Sequence, residues 1–88
     1  MNENPNFKDM LDQSYQWPDF YEFKFIIKTE DKQQVLDQLA TFGGCMITET
    51  LSKEGKYTSI NARKLIKNTD EIIDVYMSMK DIKGVISL

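Results

Sequence analysis

Val35, Leu36, Leu39 and Phe42 recur 37 positions downstream as Ile72, Ile73, Tyr76 and Met79. Each set falls on one face of a helix, because residues three and four apart lie above one another at 3.6 residues per turn. The same shift carries Phe23 onto Ile60 and Phe25 onto Ala62. Those positions sit in segments that alternate apolar with polar, the period of a strand with one buried face. The chain therefore reads as two strand–helix–strand halves of similar length, although identity between them is too low for a sequence repeat.

That order has few compact solutions. Two βαβ halves close as a four-stranded antiparallel sheet with both helices on one face, an α+β sandwich of ferredoxin-like arrangement. Right-handed crossovers place the first and third strands in the centre. The expected first strand is "FYEFKFIIK", residues 20–28, with Phe23, Phe25 and Ile27 on one side and Glu22, Lys24 and Lys28 on the other. The helix after it can be capped by Thr29 or Asp31, with Gln34 three residues after Asp31, and stopped by Gly43 or Gly44. Residues 45–51 form the second strand, "SKEG" a turn with Gly55 free to take positive φ, and residues 57–65 the third strand. Asn68 and Glu71 make a capping pair for the second helix, and residues 82–88 close the sheet.

Residues 1–18 stand apart as an arm to the domain of residues 19–88. The arm begins polar, then sets Phe7, Met10, Leu11 and Tyr15 at helical spacing, and Trp17-Pro18 closes it. It reads either as a docking helix or as a frayed terminus over the core edge. It is also where the charge lies. Of 11 basic and 14 acidic residues, one and four fall in residues 1–19, so the body carries ten of each.

Many functions are excluded by what is missing. The balanced body and acidic arm lack the basic footprint of nucleic-acid binding. The longest strongly apolar run is Phe25-Ile26-Ile27, too short to span a membrane, and no basic and apolar leader opens the chain. A single cysteine, Cys45, makes no internal disulfide, which fits a reducing, cytoplasmic setting. With no histidine there is no Ser-His or Cys-His pair and no set of soft metal ligands. No glycine-rich phosphate motif occurs, and the loop "KTEDKQQ" carries two acids that repel phosphate. Glu71 and Asp74 read as a solvated pair near a helix start, and Cys45 as a small core residue. No catalytic residue, metal ligand or cofactor is expected; the chain is not read as an enzyme.

Two surfaces remain as candidates. If Phe23, Phe25 and Ile27 face the helices, so do Thr58, Ile60 and Ala62, which leaves Tyr57, Ser59, Asn61 and Arg63 on the open face with Lys24 and Ile26. This face is either a solvated surface, with Arg63 and Lys28 paired to nearby acids, or a site for a small molecule or a second copy. The other candidate is the arm, where Phe7, Met10, Leu11, Tyr15 and Trp17 would bind a protein partner.

The same turn and strand carry a resemblance. "SKEGKYTS" (Ser52, Gly55, Tyr57, Ser59), the start "WPDFYEFKF" (Pro18, Phe20, Phe23) and the ending "DIKGVISL" resemble the YbeD-like family of uncharacterised bacterial proteins over residues 11–88. The arm is longer here, and the strand after Tyr57 is more polar, with Asn61 and Arg63. That family is similar in fold to the ACT domains, small modules that bind amino acids at subunit interfaces. The resemblance implies a ferredoxin-like fold and a regulatory or binding role, and assigns no role to the four motif residues. Amino-acid-binding ACT domains carry a glycine after the first strand, where Thr29, Glu30 and Asp31 stand here. The fold analogy therefore extends to this chain and the ligand site does not.

Overall fold

A computed structural model describes residues 7–88. Its frame is a pair of ten-residue strands, β1 (Asp19–Lys28) and β3 (Tyr57–Ile66). They run antiparallel along their whole length, from Asp19 opposite Ile66 to Lys28 opposite Tyr57. β2 (Met46–Leu51) pairs with the outer side of β3, and β4 (Ile86–Ser87) with the outer side of β1, giving the order β2-β3-β1-β4. The first and third strands are thus central, as the crossover rule requires. Helices α2 (Lys32–Phe42) and α3 (Thr69–Ser78) cross between strands, and an additional helix, α1 (Phe7–Ser14), packs on α3.

The strand pattern places the core. Phe23, Phe25, Ile27, Ile60 and Ala62 are 0–1 % exposed. Each of the larger of these side chains contributes about 1.5–3 kcal/mol by leaving water. Val35 and Leu39 of α2 close over them, with Leu36 and Phe42 half-buried at the margin. On α3 the buried stripe is Ile72 and Val75, continued by Met79 just past its end, while Ile73 and Tyr76 flank it. Val75 is the member that the recurring pattern omits. It completes the three- and four-residue spacing, which the comparison with Val35 and Leu39 alone does not reveal. Tyr76 sets its ring edge-on to Phe23 and Phe25, with centroids 5.4 and 6.1 Å away.

The ends of the elements correct three expectations. Neither Thr29 nor Asp31 caps α2: a 3-10 turn, Thr29–Asp31, precedes it, and Asp31 makes no side-chain cap bond. The Thr29 hydroxyl is engaged elsewhere, donating to Gly55 O at 2.7 Å. Asn68 does cap α3, accepting from Glu71 N at 3.2 Å, but the Glu71 carboxylate reaches back one residue further, to Lys67 N at 2.9 Å. The last strand is far shorter than residues 82–88. Turn bonds from Lys80 N to Met77 O and from Ile82 N to Met79 O keep the chain coiled after α3. Pairing with β1 therefore begins only at Ile86, and Leu88 N donates to Lys24 O at 2.9 Å. Gly43 does stop α2 at φ 72.

Candidate functional site

Side chains alternate across a sheet, so the helix-facing set fixes the open face. Across the two central strands Lys24 lies opposite Asn61, Ile26 opposite Ser59, Glu22 opposite Arg63 and Lys28 opposite Tyr57. β2 adds Thr48 beside Asn61, Thr50 beside Ser59 and Met46 beside Arg63, and β4 adds Ile86 beside Ile26. Tyr57, Ser59, Asn61, Arg63, Lys24 and Ile26 are therefore brought onto one continuous surface. Ile26, Ile86 and Tyr57 lie toward the Lys28 end, Met46 lies beside Arg63 toward the other, and Lys24, Asn61 and Thr48 lie between.

Arg63 does not pair with an acid. Its guanidinium carbon lies 4.3 Å from the centroid of the Phe20 ring, a residue on the same face. The planar cation covers the ring while its N–H groups stay in water. Lys28 also lacks a carboxylate partner; the ion pairs among the described residues are Lys8 with Asp70 and Lys32 with Glu49. Asn61 Oδ1 is shielded from solvent and accepts no hydrogen bond. A carbonyl oxygen in that state costs about 1–3 kcal/mol relative to a paired one.

At the Lys28–Tyr57 end the face opens into a cavity of about 540 Å³. Lys28, Lys83, Asp31 and Gln34 bring charge and amide groups to it, and Tyr57 and Ile86 form an apolar wall. Asp31, Gln34 and Lys83 were not legible as site residues. They come from two segments, the start of α2 and the turn before β4, that only the folded sheet brings together, and the acids of "KTEDKQQ" suggested repulsion of anions when read without Lys83.

A second hollow, about 530 Å³, lies between α3 and β4 and is lined by Tyr21, Ile73, Tyr76, Met77, Ser87 and Leu88. Its hydroxyl groups are those of Tyr21, Tyr76 and Ser87. The Tyr76 hydroxyl shares a 3.1 Å hydrogen bond with Tyr21, and burial followed by that bond pushes its pKa far above the usual tyrosine range. Cys45 packs against the core; burial raises its thiol pKa, with Lys64 opposing, so the nucleophilic thiolate is disfavoured. Among the described residues no group of three or more His, Cys, Asp or Glu side chains gathers to hold a metal, and no helix is long and apolar enough to cross a membrane.

The arm residues divide. Leu11 is 6 % exposed and belongs to the core. Tyr15 stacks on Trp17 at 4.9 Å and meets the edge of Tyr21 at 5.6 Å. Trp17 Nε1 donates to Thr69 Oγ1 at 2.8 Å, and the Thr69 hydroxyl donates to Asp12. These three residues face the domain. Met10 is 54 % exposed, and the Phe7 side chain lies outside the described residues, as do residues 1–6.

Comparison with known proteins adds a family and a fold. A family model described as a protein of unknown function, DUF493, matches residues 12–88. No curated protein matches. Among solved structures, the solution structure of protein HP0495 from H. pylori aligns with a TM-score of 0.70 at 18 % identity, over 98 % of this chain and 89 % of that one. At that identity the likeness shows the fold alone.

Proposed function

We propose, for a chain that belongs to the DUF493 family of proteins of unknown function, a non-catalytic role as a small binding module of ACT-like, regulatory type. The family is the YbeD-like one that the hairpin and strand motifs resemble. The reading rests on the cavity at the Lys28–Tyr57 end of the open face. Two ammonium groups, one carboxylate, one amide and an aromatic wall converge there. That set complements a small molecule bearing both a carboxylate and an amine, with an apolar part against Tyr57. The end of β1 and the segment after it, where ACT domains carry their glycine, contribute Lys28, Asp31 and Gln34 here without one, and the turn before β4 adds Lys83. The lone cysteine fits a reducing, cytoplasmic compartment.

Thermal denaturation against a panel of free amino acids tests this. A ligand at tenfold its Kd stabilises by about 1.4 kcal/mol, which a melting curve resolves. The shift should vanish in Lys83→Ala and persist in Lys80→Ala. No shift with any member at millimolar concentration would overturn the reading.

A second reading, an adaptor acting through the acidic arm, draws on the exposure of Met10 on α1. With Leu11, Tyr15 and Trp17 turned inward, the contact surface left to it is small. Partner capture lost on Met10→Ser, with an unchanged melting temperature, would support it.

A further inference from the structure

The sheet has two edges, and they differ in length. β4 offers two residues, Ile86–Ser87. β2 offers six, Met46–Leu51, in unbroken register with β3 and without proline, glycine or lysine. Short length, bulges, proline, lysine and inward-pointing charge are the devices by which proteins keep a strand edge from pairing. β2 carries only the last, in Glu49 opposite Ile60, and Lys32 neutralises that charge at 2.7 Å.

The free backbone groups of β2 can be assigned. Ser52 N donates to Tyr57 O at 2.8 Å, and these residues continue the register in which Leu51 faces Thr58. Hydrogen bonding alternates along an antiparallel pair. Met46, Thr48 and Thr50 therefore bond to β3, and Ile47, Glu49 and Leu51 turn N–H and C=O away from the sheet. Their side chains lie on the helix side, opposite Ala62, Ile60 and Thr58. The helices leave this margin uncovered: Ile47 is 39 % and Leu51 60 % exposed. A groove of about 340 Å³ separates Ile47 and Glu49 from Leu36 and Ala40 of α2.

The strand is its own complement. An antiparallel copy placed about a two-fold axis at Glu49 sets Ile47 opposite the partner's Leu51 and Thr48 opposite the partner's Thr50. Apolar pairs and threonine pairs are favoured across strands. The partner's Leu51 then lies beside Ile47 at the mouth of the groove. The two Glu49 carboxylates meet at the axis, but each already binds Lys32 Nζ at 2.7 Å. Two ammonium groups therefore accompany two carboxylates into the interface, so the like-charge cost is balanced. We infer that the chain pairs with a second copy through β2, antiparallel about Glu49, joining two four-stranded sheets into one. The open-face cavity takes no residue from β2, so pairing and ligand binding are separable.

Sedimentation of the full, untagged chain tests this. The expected result is a reversible dimer, twice the 10.3 kDa chain mass, forming below about 100 µM. Glu49→Pro removes an outward N–H and leaves the β2–β3 ladder intact, a position where an edge strand tolerates proline. It should weaken the dimer at least tenfold with an unchanged circular dichroism spectrum. Ile47→Lys should do the same, and carries the test if the proline variant fails to fold. Glu49→Cys in a Cys45→Ser background should oxidise to a covalent dimer. A wild-type chain that stays monomeric at about 100 µM, or that takes up an extended peptide only as a monomer, overturns the inference. A dimer equally tight in Glu49→Pro and Ile47→Lys overturns it as well. Amino-acid binding by a monomer would sink this inference and leave the cavity reading standing; a dimer without any ligand shift would do the reverse.

Discussion

Thr58 is a polar side chain at 0 % exposure among Phe25, Ile27 and Ile60. A hydroxyl there is stable only if its hydrogen finds an acceptor. The acceptor is Thr29 Oγ1 at 2.9 Å, whose own hydrogen goes to Gly55 O at 2.7 Å. The chain of two hydroxyls ties the end of β1 to the β2–β3 turn. Thr29→Val leaves Thr58 with no acceptor and should cost about 1–3 kcal/mol in urea denaturation, with the slope unchanged. Gly55 sits in that turn at φ 77, and a Cβ added there would meet nothing within 4 Å. Gly55→Ala should therefore cost only the left-handed backbone penalty, about 1–2 kcal/mol, measured in the same way.

Among the elements, α1 shows how far the arm is built into the domain. One turn of it delivers Leu11 to the core, and its end delivers Tyr15 and Trp17 to the Thr69 end of α3. The Thr69 hydroxyl accepts from Trp17 and donates to Asp12, so one side chain joins the two segments. Leu11→Ala should then destabilise the whole domain by about 2–3 kcal/mol in a single cooperative transition. An early, separate melting of α1 with an unchanged main transition would show instead that the arm is only laid on the surface. The α3 start is secured independently, by Asn68 and Glu71.

For the whole molecule, the pH dependence follows from the Tyr76 phenol. Burial, then the Tyr21 hydrogen bond, raises its pKa above the ordinary value of 10.0. A group whose folded pKa is raised contributes stability that is complete below the unfolded pKa and is lost as pH climbs toward the folded one. Stability should therefore hold to about pH 10 and fall above it. Tyr76→Phe, though less stable at neutral pH for loss of the shared hydrogen bond, should show a flatter decline on the alkaline side. Melting temperatures of both proteins across the alkaline range check this. An equal slope in both would mean that other groups govern the loss.

Much of this architecture was written in the spacing of the chain. Alternation in "FYEFKFIIK" and "YTSINARKL", with helical stripes 37 residues apart, determined the element order, the central strands and which side chains face the helices. Those properties are periodic, and a period is legible one residue at a time. Tertiary structure decided what depends on distance across the sheet. It drew Thr29 from a capping role to Thr58, gave Arg63 the Phe20 ring in place of an acid, and shortened β4 by coiling the segment before it. It also brought Asp31, Gln34 and Lys83 to the cavity beside Tyr57 and left the edge of β2 open. No pattern in the chain encodes such meetings, because each depends on how closely two elements pack once the core has formed.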